Sequence, residues 1–137
     1  MKRVLLAIIM TASLHVQSQS LVPCNCEPDA TGKSKWGYCD RNFVSDRIKC
    51  QFDSTLAFSE GLGAVYRNGK VGYVDATGKL IIPFQFDEAG PFHKGLAVVK
   101  KGGRVFFVNK QGVDILKKSF LQLHPFSHGL ALAMNDE

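Results

Sequence analysis

Apolar and small or polar positions alternate with a period of two along several stretches of this chain, the mark of strands with two unlike faces. In Leu62–Tyr66 the larger residues Leu62, Ala64 and Tyr66 alternate with Gly63 and Val65. The same pattern returns as Leu96/Val98 against Ala97/Val99, and as Leu130/Leu132/Met134 against Ala131/Ala133. A second set of strands places Trp36/Tyr38, Val71/Tyr73 and Val105/Phe107 opposite Gly37/Cys39, Gly72/Val74 and Phe106/Val108. A bulky row opposite a small row predicts that the bulky face packs a core while another layer approaches the small face closely. Phe106, standing where the other copies have glycine, predicts a local adjustment or a more open end.

Turn residues separate these strands. Asn68-Gly69 lies between two of them and suits a type I′ hairpin turn, and "KKGGR" at the next joint is again rich in glycine. Asp75-Ala76-Thr77-Gly78 and Asn109-Lys110-Gln111-Gly112 turn the chain once more, with Asp40–Phe43 at the matching place and Asn42 in the left-handed role. Pro83 predicts that the strand beginning at Lys79 ends there or lies at a sheet edge. "DEAGPF" and "HKG" read as loop, with at most one helical turn.

The spacing is that of a tandem repeat with a period of about 34 residues, inside the range of stacked repeat architectures. Gly61, Gly95 and Gly129 are evenly spaced at that period, each followed by leucine, and Phe58, Phe92 and Phe126 keep the same interval. Three copies are predicted, at 35–69, 70–103 and 104–137, after a cysteine-containing segment at 19–34. The residues "KWGYCD", "KVGYVDATGKLIIPFQFDEAGPFHKGLAVVKK" and "PFSHGLALA" make this pattern resemble the WG-repeat (KWG) family. Only Trp36-Gly37 keeps the pair that names the family; Val71-Gly72 and Val105-Phe106 depart from it. The resemblance implies an all-β tandem-repeat scaffold of antiparallel hairpins, elongated or curled and frequent in bacteria. It implies a binding role, and it brings no catalytic residues and no cofactor.

The pentapeptide DATGK occurs at Asp29–Lys33 and at Asp75–Lys79, and the first copy runs on into Ser34 as "TGKS". A phosphate-binding loop needs an earlier glycine at the place where this chain has Glu27, and a helix afterwards. Neither condition is met, so both copies read as corners. The Asp29 copy is out of period and joins a capping strand around Cys24–Glu27 to Trp36.

Composition adds a compartment. "MKR", an apolar stretch from Val4 to Leu14 and the short residues of "VQS" describe a secretory signal over 1–18, cut after Ser18. Lipid attachment at Cys24 is disfavoured by Pro23 and by the distance from the apolar run. No other run is long enough to cross a membrane as a helix. Loss of Lys2 and Arg3 lowers the formal charge from +5 to +3, and the remaining lysines are scattered, which argues against a nucleic-acid partner. Cys24, Cys26, Cys39 and Cys50 make an even set in an exported chain. A Cys24–Cys26 bridge would close too tight a ring, so each of the two is expected to pair with Cys39 or Cys50. The Cys-x-Cys start does not suit a zinc site, and no metal is expected.

Candidate chemistry is sparse. Phe58, Phe92 and Phe126 are either core plugs or a stacking platform for glycans or small ligands; Phe92, His93, Phe126 and His128 are the weak binding candidates. His93, His124 and His128 show no ligand spacing, and Asp40, Asp53, Asp75 and Asp87 read as turn formers rather than catalytic acids. Trp36 matches Val71 and Val105, which points to packing. The expectation is an exported, non-enzymatic module that binds protein, with an edge strand at Leu130–Met134 open to a partner or a second copy. Glycan or small-ligand binding through the repeat aromatics is the alternative.

Overall fold

The computed structural model describes residues 21–41, 46–117, 122–123 and 133–134. The signal segment, Asn42, His124, Phe126, His128 and most of Leu130–Met134 lie outside them. Within the described residues there is strand and turn and no helix, so "DEAGPF" and "HKG" contain no helical turn.

β1 (Leu21–Asn25), β2 (Trp36–Asp40) and β3 (Asp46–Phe52) form one antiparallel sheet. β4 (Ser54–Thr55), β5 (Gly63–Arg67), β6 (Lys70–Val74) and β7 (Leu80–Phe86) form the second, in that order. The third consists of β8 (Glu88–Ala89), β9 (Leu96–Lys101) and β10 (Arg104–Asn109). The short strands β4 and β8 lie in segments whose sequence shows no alternation.

β11 (Gln122–Leu123) pairs with β12 (Ala133–Met134). Its register, Gln122 opposite Met134 and Leu123 opposite Ala133, is that of Glu88–Lys100 and Ala89–Val99 moved on by one repeat period. The pairing rule of the second and third sheets is thus kept in the C-terminal stretch.

The turns follow from their residues. Asn68 and Gly69 take φ of 51° and 75°, which permits the short link between β5 and β6. In the Asp75 turn the carboxylate Oδ1 accepts the amides of Thr77 and Lys79 at 2.9 and 3.0 Å. Asn109 Oδ1 accepts those of Gln111 and Val113 at 3.0 Å each. β7 is the edge strand of its sheet, and Pro83 sits where its register against β6 shifts, so the missing N–H breaks no ladder.

Packing repeats with the sequence. Tyr38, Ile48 and Phe52 form one core that Val65 and Val74 close from the next sheet. Tyr73, Ile82, Phe86 and Phe92 form another, closed by Val99 and Val108. The second sheet therefore supplies large residues to one core and small residues to the core before it. The layer expected to approach the small face closely is thus the core of the preceding sheet. In β9 it is Ala97 and Val99 that are buried, while Leu96 and Val98 are half-buried. A strand packed on both faces buries residues of either row, and residue size then reflects which neighbour it meets.

The first sheet shows how the series starts. Cys24 and Cys39 stand at the places of Val65 and Val74 in the next hairpin, because β1 pairs β2 in the corresponding register. They are joined to each other, with Cα atoms 5.8 Å apart. Cys26 is joined to Cys50 across 6.1 Å, tying the loop before β2 to β3. A covalent link thus occupies the face that inner hairpins cover with a repeat core.

Candidate functional site

Two acidic side chains are taken up by hairpin tips. Asp53 lies just past β3; its carboxylate accepts from Lys35 Nζ at 2.5 Å and from the amide of Asn68 at 2.7 Å. Asp87, one repeat further on, accepts from Lys70 Nζ and from the amide of Gly102 at 2.8 Å. Both therefore clamp the tip of the hairpin that follows. The lysine bond, then the amide, holds each carboxyl below the usual carboxylate range. Such acids stay ionised at neutral pH and have no proton to give. Their role exceeds the turn-forming one read from sequence.

Glu60 has no place in the sequence expectations. It precedes Gly61 in a tight turn with φ of 51° and 86°, and its carboxylate reaches the matching turn of the next repeat. There Oε1 accepts the amide of Lys94 at 2.6 Å and Oε2 that of Gly95 at 2.8 Å. These bonds, the Gly95 one foremost, hold its carboxyl below the usual range. The clue in the sequence is a repeated residue-Gly-Leu turn whose first residue changes from Glu60 to Lys94.

The aromatics are divided between packing and clamp. Phe92 is 1 % exposed and meets the Tyr73 ring edge-on at 4.9 Å, so it offers no stacking surface. Phe58 makes the same contact with Tyr38 at 4.6 Å. The phenols of Tyr38 and Tyr73 donate to the carbonyls of Leu56 and Gly90 at 2.6 and 2.7 Å, again one period apart. The Arg67 guanidinium lies over both the Phe52 and Phe84 rings, 5.3 and 5.1 Å from their centroids. Trp36 is half-buried at the start of β2, and His93 is exposed beside the Lys94–Gly95 turn. Phe126 and His128 fall outside the described residues, and nothing brings His93 together with Phe92 as a ligand site.

All four cysteine sulfurs are engaged in disulfides, and among the described residues no group of three or more His, Cys, Asp or Glu is placed to hold a metal. No helix among them is long and apolar enough to cross a membrane. A few apolar side chains remain outward. Leu80, Ile81, Val113, Ile115 and Leu116 are the large hydrophobic residues left exposed among the described ones. They fall on matching segments, each just past an Asx-type turn. The first copy has Asp46 and Arg47 at the places of Leu80 and Ile81, so the apolar character belongs to the later copies.

A family model described as WG containing repeat matches residues 36–70 and 72–104, the two stretches whose cores, clamps and turns coincide. No curated protein and no solved structure gives a match to the chain. With one covalently capped β unit, its bonded and packed duplicate and the family match over both, the chain belongs to the WG-repeat family.

Proposed function

We propose that this chain is an exported, non-enzymatic repeat module that binds protein, with the matching stretch at 104–137 as its third copy. One observation carries the reading. Asp53, Asp87, Tyr38 and Tyr73 are spent on holding each repeat together and Glu60 on joining one repeat to the next, whereas Leu80, Ile81, Val113 and Ile115 are left facing out. Exposed apolar side chains gathered on corresponding segments suit a protein partner more than a polar substrate. The signal-like residues 1–18 and the two disulfides support export, because such bonds persist in oxidising compartments. Strand addition at Leu130–Met134 remains part of the proposal; β11 takes one edge of Ala133–Met134, and a partner strand would use the other.

The test is affinity capture from envelope and culture-supernatant fractions with the tagged chain and with an Ile81→Asp/Ile115→Asp variant of unchanged circular dichroism. A defined protein retained at constant ratio by the wild type and lost by the variant is the expected result. Equal retention by both, or none by either, removes the reading.

A further inference from the structure

The identical pentapeptides DATGK differ in what they touch. In the Asp75 copy Ala76 packs against the core of Tyr38, Ile48 and Phe52. A Cβ placed on Gly78 would lie 3.3 Å from Ile48 Cγ2, so the turn sits down on that isoleucine. The Asn109 turn repeats this one copy later: a Cβ on Gly112 would lie 2.9 Å from Ile82 Cγ2. Ile48 and Ile82 are accordingly 4 % and 0 % exposed. The contact between repeats is therefore a glycine-bearing Asx turn laid on a third-strand aliphatic residue, and it is made twice.

Among the described residues, two halves of this contact stand without a counterpart. Leu116 follows Ile82 by the interval that separates Ile82 from Ile48. It is 47 % exposed, with Val113 and Ile115 exposed beside it in sequence. The Asp29 turn has the geometry of the other two. Asp29 Oδ1 accepts the amides of Thr31 and Lys33 at 2.8 and 3.2 Å, the Gly32 amide donates to the Asp29 carbonyl at 2.8 Å, and Gly32 has φ of 78°. Yet Ala30 to Gly32 are exposed, and nothing lies within 4 Å of where a Gly32 Cβ would stand.

We infer that the Asp29–Lys33 turn of one copy of this chain docks on Leu116 of another, continuing the inter-repeat contact between molecules. The occupant is a second copy because the missing turn is present in this chain with the same five residues that already fit Ile48. The two surfaces differ, so the contact is head to tail and adds copies in a row rather than closing as a symmetric dimer. It deepens the protein-binding reading by naming one partner. A chain that stays single would leave capture of a different protein untouched, so the two can fail separately.

Sedimentation equilibrium on the full chain with both disulfides formed decides it. The wild type is expected to rise in average mass with concentration, at least doubling by about 1 mM, since a contact this small belongs to the weak class. Ala30→Arg and Leu116→Asp should each hold the mass of one chain. Ala30 leaves the left-handed Gly32 untouched, and unchanged circular dichroism verifies both folds. A mixture of the two variants should form a two-chain species and stop, because only one intact turn and one intact Leu116 remain to meet. A wild type that stays at one-chain mass, a single variant that still associates, or a mixture that does not pair would each overturn the inference. Loss of the captured protein by Leu116→Asp in a monomeric wild type would assign the surface to another partner instead.

Discussion

Gly72 shows how a single absent side chain shapes the sheet. A Cβ there would stand 2.6 Å from the carbonyl oxygen of Ile82 and 3.1 Å from the amide of Phe84, both backbone atoms of the shifted strand β7. Backbone cannot swing aside, so Gly72→Ala is expected to destabilise by about 2–3 kcal/mol in urea unfolding. Gly90→Ala, whose new atom would meet only the Val98 carbonyl at 3.7 Å, is the contrast and should fall within about 0.5 kcal/mol of wild type. Phe106 at the matching place in the next copy cannot admit a strand as closely; its ring instead meets Phe86 edge-on at 6.3 Å. The tyrosines carry a pH signature. Burial raises the pKa of Tyr38 and of Tyr73 above the ordinary 10.0, and burial with nearby Glu88 does the same to Tyr66. A raised pKa means that the neutral phenols stabilise the fold below the ordinary tyrosine value and that this contribution is lost as pH climbs through the folded values. Tyrosinate absorbance should therefore appear above the pH of free tyrosine and together with loss of β circular dichroism. Normal titration of all three in a folded chain would contradict the burial.

Between elements, the clamps work in the opposite pH direction. The carboxyls of Glu60, Asp53 and Asp87 are held below their usual range by the amides and lysines they bind. Their stabilising bonds are present above the carboxylate range of the unfolded chain and are lost as pH falls through the folded values. Stability should thus be level near neutrality and decline below about pH 4. Glu60→Ala removes two charge-assisted bonds at a partly exposed site, and a loss of about 1 kcal/mol is expected, with a shallower acid limb. An unchanged acid limb would show that the carboxylate does not bridge the repeats in solution. These bonds were legible only in outline. The recurrence of Asp53 at Asp87 was visible, but that each reaches a hairpin tip required knowing which strands lie side by side.

For the molecule as a whole, stability is a sum over repeats and the contacts between them. The ends of such a row have faces that inner units cover, and the N-terminal one is closed by Cys24–Cys39 at the positions of Val65 and Val74. Replacing both cysteines by serine should cost about 3 kcal/mol, the scale for a sequence separation of 15. Hydrogen exchange should show the loss concentrated in β1 to β3, with β5 to β9 less affected. Uniform loss of protection would mean that the chain unfolds as one unit and that the link is no local cap.

The chain's own order of residues determined what is local: the repeat period, the Asn68-Gly69 and Asx turns, the alternating strands and the family they resemble. Those depend on φ preference and on side chains pointing alternately, both properties of a few neighbours in sequence. Tertiary structure decided which faces are buried, which cysteines join and what the carboxylates bind. Alternation gives two faces but not the count of layers stacked on them, and here both faces are covered. It also separated the twin pentapeptides, seating Ala76 and Gly78 on Ile48 and leaving Ala30 and Gly32 bare. Identical turns acquire different roles because contact is fixed by what lies opposite, and that is known only once the sheets have met.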